Sequence, residues 1–213
     1  MWFIPDNSCP KANNPAIPLP APQPWAARRP LLFVKFIIYD IEATCWQGRP
    51  PGMVQETIEI GAVELDRYGN ETGTFSRLIK PVIHPQLSTF CRDLTGIDQA
   101  EINRAQDFKR VIRQFQDWIG IHDEEYMLAG WGNFDKVQLE RDCRLHRMDD
   151  DWLQDYLNLR RQYQEVKKLP KKRGLKSAVR HEGYEWEGEQ HQALVDAQNT
   201  AKLFAGMIDV WRY

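Results

Sequence analysis

Two periodicities alternate along the chain from residue 31 onward. Leu31–Ile41 is a near-continuous apolar run interrupted by Lys35 and, near its end, Asp40, which predicts a strand buried on both faces. Thr57–Leu65 (TIEIGAVEL) predicts a second strand, with Tyr68-Gly69-Asn70 opening its turn, and Thr74–Lys80 a third, stopped by Pro81. Phe108, Val111, Ile112, Phe115, Trp118 and Ile119 then recur at helical spacing behind an Asp107 cap, predicting a helix over 107–119. Tyr126–Trp131 reads as another short strand, followed by a helix starting near Asp135 and a further one over Asp155–Lys167. Leu194, Ala197, Ala201, Phe204, Ile208 and Trp211 mark a last helix by their 3-4 alternation. Three early strands followed by strands interleaved with helices indicate an α/β domain built on a mixed sheet.

The first thirty residues follow neither period. They hold eight of the thirteen prolines, which remove amide donors and fix φ, so the stretch neither pairs into a sheet nor continues a helix. The expectation is a proline-rich arm over 1–30, no domain in itself, ahead of one domain over 31–213. Trp2, Phe3, Ile4 and Trp25 are more apolar than a linker needs and suggest that part of the arm docks.

Composition narrows the class. Hydrophobic residues make up 42% and charged residues 27% of 213 residues, with a formal net charge of −2, which excludes a largely disordered chain. No apolar run is long enough to span a bilayer, and no basic segment followed by an apolar one opens the chain, so a cytosolic, membrane-free protein is expected. Cys9, Cys45, Cys91 and Cys143 are scattered without a C-x-x-C pair, which speaks for reduced thiols rather than a zinc site. The near-neutral charge does not announce a nucleic-acid binder, but basic residues concentrate locally at Lys167, Lys168, Lys171, Lys172, Arg173 and Lys176.

Four acids and one histidine carry the candidate chemistry. Asp40 and Glu42 end the first buried strand (FIIYDIEATCW), and alternation puts both carboxylates on one face. Charges closing an apolar strand must be exposed at its tip, paired or metal-bound; the triplet alone also fits a solvated strand end. Asp135, in GWGNFD, follows the fourth strand and has capping-box spacing to Gln138, so a helix cap is its simplest reading in isolation. His191 and Asp196 (HQALVD) lie where the last helix begins, where an acid is favourable in any case.

As an ordered set, D-x-E, then D, then H-x-x-x-x-D, the five residues resemble the DEDDh 3′–5′ exonucleases, the DnaQ-like or RNase T-like superfamily with a ribonuclease H-like fold. QETIEIGAV (55–63), KPVIHPQLSTFCRDLTGI (80–97), GWGNFD (130–135) and HQALVDAQNTAKL (191–203) extend the likeness, chiefly to the ERI-type, 3′ histone-mRNA-exonuclease-like branch, over about residues 33–211. The resemblance implies that Asp40, Glu42, Asp135 and Asp196 bind metal and that His191 is the general base, gathered at the carboxyl ends of the central strands. Larger members of the branch carry a separate nucleic-acid-binding domain before the nuclease. The proline-rich arm is too short for one, so recognition of a structured RNA is not expected.

The chemistry suits the residues. Hydrolysis of a phosphodiester needs an activated water, relief of phosphate repulsion and a stabilised leaving oxygen, which two cations roughly 3.5–4 Å apart provide. Four carboxylates balance two Mg²⁺ ions, and hard oxygen donors favour Mg²⁺, with Mn²⁺ as a substitute, over zinc. On the resemblance, Asp40 bridges both ions, Glu42 and Asp196 complete the first site, and Asp135 holds the second. An unperturbed imidazole pKa near ~6.5 lets a histidine accept a proton around neutral pH.

The resemblance also implies substrate contacts at Thr44, Phe90, Leu94, Thr95 and Phe134, with Phe90 and Leu94 flanking the terminal base, Thr95 near the sugar and Phe134 lining the base pocket. The alternative for Phe90 and Leu94 is ordinary core, and core packing is the expectation for Trp46 and Trp131. KKLPKKRGLK (167–176) has the composition of a phosphate-contacting loop, with Lys171, Lys172 and Arg173 as contacts, and also that of a solvated linker. Asp149–Asp151 reads as an acidic helix start and Glu185, Glu187 and Glu189 as a solvated loop. The function expected is a metal-dependent exonuclease that shortens single-stranded 3′ ends, RNA before DNA, to nucleoside 5′-monophosphates. An exonuclease on DNA or short oligonucleotides and a catalytically silent nucleic-acid binder stay open, because fold does not imply function. No protein partner is indicated, and a homodimer is compatible with the sequence.

Overall fold

The computed structural model describes residues 35–48, 50–123 and 125–213. The proline-rich arm and Leu31–Val34 of the predicted first strand lie outside the described residues.

Six strands form one mixed sheet in the order β4-β3-β2-β1-β5-β6. Strand β1 (Lys35–Ala43) is central, antiparallel to β2 (Thr57–Leu65) and parallel to β5 (Tyr126–Gly130). Strand β3 (Glu71–Lys80) continues the meander, and the two-residue β4 (Gln106–Asp107) closes that edge. This is the mixed sheet that the alternation predicts, with β2 matching its expected span.

Strand β1 separates two cores by parity. Ile37, Tyr39 and Ile41 pack against α3 (Phe108–Ile119) and α4 (Phe134–Leu145). Phe36 and Ile38 pack on the opposite face, against α5 (Leu159–Val166), α6 (Leu175–His181) and α7 (Ala193–Gly206). Alternation carries Asp40 and Glu42 onto this second face. A third cluster, Ile58, Leu87, Cys91, Ile97 and Ile102, seats α1 (Thr89–Thr95) and α2 (Gln99–Arg104).

Helix α3 has the expected apolar stripe, and Asp107 caps it through the Arg110 amide at 3.0 Å. Three expectations need correction. The helix read over Asp155–Lys167 starts as strand: Tyr156–Asn158 form β6 beside β5, and the Asn158 side chain then caps α5 through the Arg161 amide at 2.9 Å. The last helix stops at Gly206, a 3₁₀ turn spans Ile208–Val210, and Trp211 folds back so that its indole N–H donates to the Phe204 carbonyl at 2.9 Å. Asp135 is not the cap of α4: Asn133 holds that position without a side-chain bond, which leaves the Asp135 carboxylate for other partners.

Short helices within the expected loops come from strong local caps. Ser88 accepts the Cys91 amide at the start of α1, Gly96 ends that helix at φ 71°, and Asp98 with Glu101 forms a complete capping box for α2.

Candidate active site

The site forms where β1 and β2 meet the start of α7. In the antiparallel register Asp40 faces Gly61 and Glu42 faces Glu59, so the side chains of β2 that share their face are Glu59, nothing at Gly61, and then Val63. A Cβ on Gly61 would lie 2.1 Å from the Leu194 nitrogen and 2.3 Å from the Ala193 carbonyl carbon. The missing side chain therefore lets the start of α7 rest directly on the sheet beside Asp40. Glu59 completes the docking by accepting the Ala193 amide at 3.1 Å.

The H-x-x-x-x-D spacing has a local cause as well. Asp196 sits in the first turn of α7, and its Oδ2 reaches back to accept the His191 amide at 3.1 Å. His191 itself stands in the left-handed region at φ 65°, uncommon for a residue with a side chain and shared among the described residues with Arg147 and Lys168. The imidazole stays exposed while Asp196 is buried. Ligand atoms of Glu42, His191 and Asp196 lie within 4.8 Å of one another.

Asp135 arrives from the other side. Strand β5 ends at Gly130, and Gly132 turns the chain at φ 132°. Tyr156 ties this turn by donating to the Gly132 carbonyl at 2.5 Å, and the Asp135 Oδ2 lies 3.6 Å from where a Gly130 Cβ would stand.

Electrostatics binds the acids into one group. Burial, then the charges of Asp135, Asp196 and Glu42, push the Asp40 carboxyl well above the usual range. Glu42 is pushed up to about 8 by burial and then by Asp196 and Glu59. Burial raises Asp135 to about 6 against the opposing pull of its own amide and that of Ile41. Asp196 is raised by burial, opposed by the His191 amide and by the charges of His191 and Lys176. The Asp196 Oδ1 is buried without a hydrogen-bond partner among the described residues. Four clustered carboxylates of which one has an orphaned oxygen are a donor set that fits hard divalent cations.

The remaining expected contacts divide. Phe90, Leu94 and Phe134 are 40%, 37% and 50% exposed, so Phe90 and Leu94 are not ordinary core and all three apolar surfaces are open. Thr44 and Thr95 are buried, and both hydroxyls already have backbone partners: Thr44 Oγ1 accepts the Glu56 amide at 2.9 Å, and Thr95 Oγ1 donates to the Cys91 carbonyl at 2.9 Å. The Thr95 hydroxyl also accepts the Ile97 amide at 3.2 Å, which fixes it at the end of α1. Lys171 and Lys172 are exposed, and the Arg173 carbonyl anchors their loop by accepting Trp131 Nε1 at 3.2 Å and Arg160 Nε at 2.9 Å. Trp131 packs on Tyr163 in the second core, and Trp46 lies half-buried with its ring edge-on to His84. Asp149 and Asp150 precede a 3₁₀ turn over Asp151–Leu153, and Glu185, Glu187 and Glu189 are exposed.

Two residues that bear on the site are not among its candidates in the sequence: Glu59, and Lys176, which stands there only as a member of the basic run. Glu59 lies inside TIEIGAVEL, where a charge on the buried parity of the strand is itself a signal. Lys176, 5.4 Å over the Trp186 ring, reaches Asp196 electrostatically from within a run that reads as a loop.

The comparisons with known proteins agree with this geometry. An exonuclease family model, RNase_T, matches residues 37–204. Human 3′-5′ exoribonuclease 1 is 32% identical over 179 residues, 80% of this chain and 51% of that protein, so the chain spans about half its relative's length. The nuclease domain of 3′hExo, a DEDDh family member, bound to rAMP, superposes with a TM-score of 0.77 at 30% identity, covering 84% of this chain and 94% of that one. A structure of histone mRNA stem-loop recognition by 3′-exonuclease gives 0.77 and 30%, covering 83% and 82%. No helix among the described residues is long and apolar enough to cross a membrane. With the family model spanning the sheet, both acid-bearing strand ends and α7, the chain belongs to the RNase T-like exonuclease family, in its ERI-type DEDDh branch.

Proposed function

We propose that this chain is a metal-dependent 3′–5′ exonuclease that acts on single-stranded RNA ends and releases nucleoside 5′-monophosphates. The observation that carries the reading is the convergence of Glu42, His191 and Asp196 within 4.8 Å beside two further buried acids, Asp40 and Asp135. RNA is favoured over DNA by the exoribonuclease name of the human relative and the rAMP and histone mRNA ligands of the structural neighbours.

Asp40, Glu42 and Asp196 would hold one divalent ion and Asp135 would contribute to a second, Mg²⁺ being the best match to an all-oxygen set and Mn²⁺ its substitute. When bound, such ions supply charge relief for the phosphate and stabilise the departing 3′ oxygen. His191 takes the proton of the attacking water on an imidazole nitrogen. The water oxygen bonds to phosphorus, the P–O3′ bond breaks, and the shortened strand keeps a 3′-hydroxyl. Exposure of the ring lets it return that proton to solvent, and the hydrogen bond that the His191 backbone N–H donates to Asp196 ties down the loop that carries it.

Phe134, Phe90 and Leu94 offer the terminal base an apolar bed that any base can use. Lys171, Lys172 and Arg173 are the proposed phosphate contacts. The free thiols of Cys45, Cys91 and Cys143 suit a cytoplasmic setting. Chromatographic analysis of digested RNA tests the chemistry: 5′-monophosphates as the sole early product support it, and 3′-monophosphates or internal fragments would refute it.

A further inference from the structure

A second concavity, of about 990 Å³, opens where α4, β6 and α5 meet the loop after α5. Asn133 lines it two residues before Asp135, and so does Tyr156, whose hydroxyl and the Asp135 Oδ2 lie 2.7 and 3.6 Å from one point, where a Gly130 Cβ would stand. Lys136, Arg161, Lys168 and Lys172 line it against two acids, Glu140 and Glu165. That leaves an excess of two positive charges in a chain whose net charge is −2.

Two of the four positive charges are paired within the groove and two are not. Glu140 lies 3.8 Å from Lys136 and also serves Arg144, and Glu165 takes Arg161 at 3.1 Å. Lys168 and Lys172 have no ion pair among the described residues. At the floor, Asn158 donates to Asn133 Oδ1 at 2.6 Å, linking the caps of α5 and α4. Small-molecule pockets are predominantly apolar, whereas Val137 and Leu169 are the only aliphatic members of this lining. An open, polar, cationic trough beside a half-exposed aromatic is instead the form that tracks a single-stranded backbone.

We propose that this groove carries the strand on the 5′ side of the terminal nucleotide, with Lys136, Arg161, Lys168 and Lys172 meeting its successive phosphates. The proposal rests on the nuclease reading for its substrate and adds the direction in which that substrate leaves the site. It separates a short product, which never reaches the groove, from a longer strand held by several weak charge contacts.

The test is fluorescence anisotropy of a labelled single-stranded RNA of about ten nucleotides, inside the ~4–16 nucleotide range of such grooves, in EDTA. Wild-type protein is compared with Arg161→Glu/Lys168→Glu and, as a milder change, Lys168→Gln. The double variant should lose about tenfold or more in affinity, and its slope of log K against log[salt] should flatten by about 1.4, at ~0.7 per single-strand phosphate contact. Lys168→Gln should flatten it by about half as much. Wild-type affinity and slope in both variants would overturn the proposal. So would displacement of RNA by an acidic peptide that binds more tightly, which would make the groove a protein-docking surface. Binding does not depend on turnover: RNA held in the groove but not cleaved in Mg²⁺ would refute the nuclease reading alone, and cleavage with undiminished binding by the variants would refute the groove alone.

Discussion

The backbone nitrogen of Leu194 lies 2.1 Å from where a Cβ on Gly61 would stand. Helix α7 can approach β2 this closely because residue 61 has no side chain. The approach brings Asp196 and His191 to Asp40, which pairs with Gly61 across the strands. Gly61→Ala must move α7 or the sheet, since the obstructing atoms are backbone. A displacement of about 1 Å at a catalytic centre can cost ~100-fold, so kcat/KM on single-stranded RNA should fall by about that factor while the circular dichroism spectrum stays native-like. Wild-type kcat/KM in this variant would show that the close contact does not position the site.

Asp40→Asn separates function from stability. The Asp40 charge is disfavoured by burial and by Asp135, Asp196 and Glu42, so a neutral isostere should relieve the metal-free fold. Turnover should disappear, while metal-free Tm rises by several degrees, at roughly 2–4 °C per kcal/mol for a domain of this size. A lower Tm would mean that the carboxylate is a structural bond rather than a strained ligand.

Stability of the metal-free protein should fall as pH rises. Glu42 holds its proton in the folded state up to about 8 and Asp135 up to about 6, whereas the unfolded chain releases both near the ordinary carboxylate range. Between those limits unfolding releases protons, so higher pH favours the unfolded state. Thermal melts in EDTA from pH 5 to 8 should show a declining Tm, and saturating Mg²⁺ should flatten the profile. A Tm that climbs over this window without metal would contradict the assigned shifts.

Phe134 is half exposed yet sits one residue before Asp135. Stacking on such a ring is worth about 1–3 kcal/mol per base, so Phe134→Ala should raise KM about tenfold for RNA ending in any of the four bases. Tm should change little, because little buried surface is lost. An unchanged KM would return Phe134 to the solvent-facing surface of α4.

Much of this arrangement is legible in the sequence because it rests on periodicity. Parity along FIIYDIEA places Asp40 and Glu42 on one sheet face, and the capped stripe of α3 and the span of β2 follow from the same rule. Where tertiary contacts overrule the local pattern, the sequence misleads. Tyr156–Asn158 carry helical spacing but are pulled into β6 by pairing with β5, a contact between residues about thirty apart. Asp135 has ideal capping chemistry, but the turn through Gly132 moves the cap to Asn133. Glu59 has no local signal of its role because its partner, the Ala193 amide, is distant in the chain. The hydroxyls of Thr44 and Thr95 look free until the neighbouring amide and carbonyl are in place.

The most direct measurement uses 5′-labelled single-stranded RNA and DNA of one sequence, incubated with Mg²⁺, Mn²⁺ or EDTA, beside His191→Ala and Asp196→Ala proteins. The account predicts a metal-dependent ladder shortening from the 3′ end, faster on RNA, slowed by orders of magnitude in His191→Ala and absent in Asp196→Ala. An undiminished ladder in EDTA or in Asp196→Ala would contradict it, as would full-length RNA persisting with wild-type protein and Mg²⁺.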